Sequence, residues 1–152
     1  MIIDKQALLS DGQDLSQTAG TYLSTNSFDM TTAGTIPAMF QAVGNFPADL
    51  GRSMRHLELV VQIDETFTSG GAATLQVQLI TDNDAALGSP TVIQSSDTVA
   101  LATLVAGYRF RIAVPPGLAE RYLGVQYVIG TATTTAGTCS AFLLMDGQTT
   151  VV

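Results

Sequence analysis

The chain carries one histidine, His56, and one cysteine, Cys139. A Cys–His nucleophile would have to use these two, the imidazole drawing the thiol proton. Cys139 sits in an apolar alternation beside Ala141 and Leu143, where a free cysteine behaves as a small hydrophobe. His56, flanked by Arg55 and Leu57, reads as a strand-edge residue. One histidine cannot supply the two-His-one-carboxylate set of a metal-binding jelly-roll enzyme, which excludes that class. Asp82-Asn83-Asp84 offers hard oxygen ligands that suit calcium, but counting from Asp82 the sixth residue is Leu87 and the twelfth Ile93, where an EF-hand loop needs Gly and Glu. An Asx-rich turn is the better reading. Asp64, Glu65 and Glu120 remain as carboxylates for acid–base work. Adjacent residues on a strand point to opposite faces, so Asp64 and Glu65 need not converge. Arg109 and Arg111 share the polar side of one expected strand, and Arg121 opens the next. If those strands pair, the three make one basic patch. It serves either cross-strand pairing with acids or an electrostatic contact with an acidic partner. No catalytic residue, metal or cofactor is expected.

The elements that carry these residues are strands. Between Gly107 and Val114, Tyr108, Phe110, Ile112 and Val114 alternate with Arg109, Arg111 and Ala113. Period two marks a half-buried strand. Arg121–Gly130 puts Leu123, Val125, Tyr127 and Ile129 on one face. In 137–146, Phe142 and Leu144 lie on one face, with Cys139, Ala141, Leu143 and Met145 on the other. Upstream, Arg55–Asp64 places Leu57, Leu59, Val61 and Ile63 together, with Asp64-Glu65 as its end, and Ala73–Thr81 places Leu75, Val77 and Leu79 together. Thr91–Gln94 and Val99–Leu104 read as shorter strands, and Thr21–Met30 as one poorly alternating strand. Turn signals separate them: Ser69-Gly70-Gly71, the 82–89 loop, Pro115-Pro116-Gly117 and Thr131–Ala136. About eight antiparallel strands with little helix predict an all-β jelly-roll sandwich. Residues 1–152 form one domain, in which 1–12 reads as a helical turn or an extended arm closed by Asp11-Gly12. The stretch 31–50, uncharged up to Asp49, holds Ile36, Met39, Phe40, Val43 and Phe46 between helix-breaking Gly and Pro residues. It is expected either to lie over one end of the sandwich or to dock onto a partner.

Composition narrows the function classes. The chain has 152 residues, a net charge of −7, and only 12% charged residues, about half the usual 25%. A weakly charged, Thr-rich surface fits a protein held against others, and equally a sandwich with Thr-rich faces. Phosphate binding needs a positive footprint. The one Lys and five Arg form no basic run, so nucleic acid is rejected and an anionic membrane disfavoured. The uncharged 122–145 stretch is broken by Gly, Gln and Thr, and a hairpin explains it better than a membrane-spanning helix. A single cysteine allows no internal disulfide. Met1-Ile2-Ile3-Asp4-Lys5 lacks the basic region of a signal peptide, so synthesis in a reducing cytoplasm is expected.

Three segments carry a resemblance. They are the opening with its DKQ, LSD and following Gln, the middle HLELVVQIDETFTSGGAATLQVQLITDND, and the close RYLGVQYVIGTATTTAGTCSAFLLMDGQ. In their order the chain resembles the jelly-roll capsid cement, or decoration, proteins of tailed bacteriophages, especially short-tailed ones. The resemblance implies a non-enzymatic virion protein made in the host cytoplasm. It would sit on the capsid outer surface and brace joints between subunits of the phage major capsid protein. It also implies a symmetric homo-oligomer, a dimer before a trimer. Lys5, Phe40, Phe46, Arg52 and Arg55, in segments without a clear strand role, are the expected interface residues, with Arg109 and Arg111 as the basic contribution. The alternative is a carbohydrate- or receptor-binding jelly-roll module on a virion, although no Trp is present to form a sugar platform.

Overall fold

The structure, a computed structural model, describes residues 5–30, 57–115 and 120–145. Ten strands are present among them: β1 Leu8–Asp14, β2 Gly20–Leu23, β3 Phe28–Asp29, β4 Leu57–Ser69, β5 Thr74–Asp82, β6 Thr91–Ser95, β7 Val99–Ala100, β8 Arg109–Ala113, β9 Tyr122–Gly130 and β10 Thr134–Met145. Two single 3₁₀ turns, Lys5–Ala7 and Leu101–Thr103, are the described helical elements. One sheet has the order β1-β10-β4-β8, the other β2-β9-β5-β6. β3 continues along β9 after β2, and β7 runs along β5 beside β6. Each of these pairs fills one place, so the fold has eight places in two sheets. Every connection between places crosses from sheet to sheet except that from β5 to β6. This is the jelly-roll arrangement the alternation predicts.

The core forms because period-two apolar residues from both sheets meet face to face. Leu59, Val61, Ile63, Phe110, Ile112, Cys139 and Ala141 face Leu75, Val77, Leu79, Leu123, Val125, Tyr127 and Ile129, and all are buried. Each large aliphatic side chain so buried contributes about 1.5–3 kcal/mol.

Several boundaries differ from the sequence expectation, each for a local reason. The stretch read as an arm or turn contains β1, which pairs with β10. Asp11-Gly12 is no turn between elements; it sits where the β1–β10 register shifts, with Gly12 at φ 55. β4 does not stop at Asp64-Glu65 but runs to Ser69. The register with β10 skips Asp64 between Ile63 and Glu65, and a bulge of this kind switches the alternation and imitates a strand end. The single strand expected over Thr21–Met30 is the two short strands β2 and β3 on the same neighbour. The strand expected over Val99–Leu104 ends at Ala100 and turns into a 3₁₀ helix. β10 begins at Thr134, inside the expected turn.

Candidate functional site

The outer face of the β1-β10-β4-β8 sheet is where the charged and the outward apolar residues collect. β8 alternates strictly, with Phe110 and Ile112 buried and Arg109, Arg111 and Ala113 exposed. From its edge a polar ladder crosses the sheet. Arg109 Nε donates to Gln62 Oε1 at 2.9 Å, and Gln62 Nε2 donates to Asp64 Oδ1 at 3.4 Å. Ser140 Oγ donates to Asp64 Oδ2 at 2.6 Å and accepts the Gly12 N–H at 3.0 Å. All four strands are thereby tied on one face. A second row runs parallel: Leu8, Phe142, Val60 and Arg111 are successive cross-strand partners. Phe142 and Val60 point away from the core, yet each is only 2% exposed. Arg111 Nη1 lies 3.8 Å from Glu58 Oε2, a buried oxygen without a hydrogen-bond partner. The two arginines are thus unequal. Arg111 faces a carboxylate at ion-pair distance, whereas the hydrogen-bond partner of Arg109 is the neutral Gln62.

Arg121 does not join them. It precedes β9 in the other sheet, so the patch of three arginines does not form through strand pairing. Instead Arg121 makes a two-pronged contact with Asp29, at 3.4 and 3.1 Å, and its guanidinium stands 4.9 Å from the Tyr122 ring centroid. Asp29 raises the pKa of this guanidinium further above its ordinary value. Lys5 is exposed at the N-terminal 3₁₀ turn and borders an open groove of about 390 Å³ between that turn, Leu8, Asp11 and the 26–29 segment. Phe40, Phe46, Arg52, Arg55 and His56 lie outside the described residues.

Of the remaining candidates, Asp82, Cys139 and Asp64 are absorbed by the fold, whereas Glu65 and Glu120 stay exposed. Asp82 Oδ1 accepts the Asp84 N–H and Oδ2 the Ser89 N–H, at 3.1 and 2.8 Å. These donors hold its carboxyl below its ordinary pKa. The loop is an Asx turn, as its composition predicts. It also places Leu87, at φ 54, against the outer side of Gly124, where a β-carbon would collide with it. Cys139 is buried, and desolvation pushes its thiol up to about 12. A thiol so placed is not an activated nucleophile. Asp64 is engaged by Ser140 and Gln62, and no group of three metal-ligating side chains occurs among the described residues. Sequence reading missed Gln62, Ser140 and Asp29, because their roles depend on cross-strand neighbours far away in the chain.

Residues 9–143 match the Bbp16 family. The chain belongs to the Bbp16 family. Membership fits a phage-related protein. The match runs from β1 through most of β10, so it covers the whole sandwich. No curated protein matches the chain.

Proposed function

We propose that this Bbp16-family protein is a non-enzymatic virion component that binds the outer surface of a phage capsid and braces contacts between major capsid subunits. The observation that carries the reading is the outer face of the β1-β10-β4-β8 sheet. Its side chains are laced into one rigid surface across four strands, with a cationic edge on a chain of net charge −7. A brace needs such a preformed surface, because rigidity lowers the ordering cost of binding. Family membership supports a phage-related protein, and the resemblance of three segments to cement proteins supports the bracing role. Binding the assembled shell and not its free subunits stabilises the shell by mass action, by about 2.7 kcal/mol per site at 100 times the dissociation constant.

Among the described residues the tyrosines give the glycan-binding alternative little to use; the Tyr22 hydroxyl is bonded to Thr18. Tyr127 is fully buried, Tyr108 packs edge-on against Phe110 at 5.2 Å, and Tyr122 lies under Arg121. The test is to add the purified protein to matching shells that lack it, then follow sedimentation and the temperature of shell disruption. Co-sedimentation at fixed stoichiometry with a raised disruption temperature is expected. Binding without stabilisation would leave display or receptor attachment. Failure to bind would discard the capsid reading and direct attention to a glycan screen.

A further inference from the structure

The two sheets have four edges, and three are guarded. β1 carries two register shifts along β10. The β2–β3 edge is tied to β1, with the Asn26 N–H donating to Leu9 O at 2.9 Å and Gln13 Nε2 to Leu23 O at 2.8 Å. β6 follows Pro90 and has a register shift that skips Ile93. Bulges, prolines and covering contacts are how sheet edges avoid unwanted pairing. Among the described residues β8 has none of these over Arg109–Ala113. Its register with β4 is continuous, and its other side has no strand partner among the described residues.

The phase of the ladder fixes which backbone groups are open. Val114 N–H donates to Leu57 O, and Ile63 N–H donates to Tyr108 O, each at 2.9 Å. Hydrogen-bonded pairs alternate along an antiparallel ladder, so Leu59–Ile112 and Val61–Phe110 are the bonded pairs between these ends. The N–H and C=O groups of Arg109, Arg111 and Ala113 therefore point to the open edge. These same three residues present their side chains on the exposed face. An incoming strand would find three regular backbone stations flanked by two guanidiniums.

We infer that the open edge of β8 accepts an extended acidic segment of the capsid protein as a fifth strand, with carboxylates beside Arg109 and Arg111. The inference rests on the shell-binding reading above. Charge selects the occupant. Two copies of β8 paired about a two-fold axis in the register that uses all three stations would set Arg111 against Arg111, which is unfavourable across strands. An acidic strand answers the charge that Gln62 leaves uncompensated on Arg109.

The experiment uses the full chain and matching shells that lack it. Amide hydrogen exchange is measured free and shell-bound. In the free protein the amides of Arg109, Arg111 and Ala113 should exchange fast while Phe110 and Ile112 are protected. On the shell all five should be protected. Arg111→Pro removes an N–H that faces the open edge, a position where strands tolerate proline, together with the guanidinium that faces Glu58. It should weaken shell binding by about ten-fold or more with the isolated protein still folded. If it fails to fold, the Arg109→Glu/Arg111→Glu pair leaves the backbone intact and should give the same loss. Shell binding by the wild type with those three amides still exchanging fast would overturn the inference and leave the shell-binding reading standing. Undiminished binding by the Glu pair would do the same. No wild-type binding at all would overturn both.

Discussion

Gly137 has no room for a methyl group. At φ 139 a β-carbon there would stand 2.5 Å from Phe67 Cγ, with two further ring carbons at 2.6 and 2.7 Å. The ring is itself buried in the core, so it cannot swing away as a flexible chain end would. Gly137→Ala should therefore lower stability by about 2–4 kcal/mol, the sum of backbone strain and overpacking, as read from urea unfolding. A change below about 0.5 kcal/mol would mean that the Phe67 ring is free to move. Cys139 gives a chemical test of the same core. With its thiol buried and raised to about 12, iodoacetamide should leave it unmodified in the native protein and label it only with global unfolding. Rapid native labelling would contradict the burial. Asp82 supplies the pH dependence. Its folded pKa lies below the ordinary 3.8 because two backbone N–H groups hold the charged form. Its stabilisation is thus complete above that ordinary value and lost as the pH falls through the lowered one. Asp82→Ala should destabilise at neutral pH and flatten the acid limb of stability against pH. An unchanged acid limb would assign that limb to other carboxylates.

At the scale of elements, β1 was the least legible piece, and its placement depends on a polar contact in the core. The Tyr127 hydroxyl donates to Ser10 Oγ at 2.9 Å, and Ser10 donates to Gln13 Oε1 at 2.7 Å. Gln13 Oε1 also accepts the Thr25 N–H at 3.2 Å. This chain joins β9, β1 and the segment after β2, fixing a strand whose register shifts twice. Burial holds the Tyr127 phenol protonated, with Cys139 adding to the effect. Tyr127→Phe should cost about 1 kcal/mol, and in a double-mutant cycle with Ser10→Ala the two changes should be non-additive by a similar amount. Additivity would show that the hydroxyls do not stabilise each other. The long strands β5 and β9 were readable because their alternation is unbroken and nothing interrupts their mutual register. β1 and the far half of β4 were not, because bulges switch which face a residue takes, and the partner that compensates lies more than a hundred residues away in the case of β1.

For the molecule as a whole, the sandwich is closed along one side, where β1 meets β2 and β3, and open along the other, where β8 and β6 are edges. The basic character of β8 was legible from Arg109 and Arg111 alternating with Phe110 and Ile112. Its position as an unguarded edge was not, because only the order of the sheet reveals it. This division predicts two different responses to salt. The interior is held by apolar burial and neutral hydrogen bonds, and the ion pairs among the described residues, Arg111–Glu58 and Arg121–Asp29, are partly exposed on their arginine side. Exposed pairs contribute about 0–1 kcal/mol each, so unfolding of the isolated protein should change little between about 0.1 M and about 1 M sodium chloride. Binding to the shell through arginines on an acidic chain should weaken markedly over the same range, as the screening length falls from about 10 to about 3 Å. Parallel thermal melts and sedimentation titrations separate the two. If shell binding holds as firmly at high salt as at low, the contact is apolar, and the exposed Val92 and Val105 become the residues to mutate instead of β8.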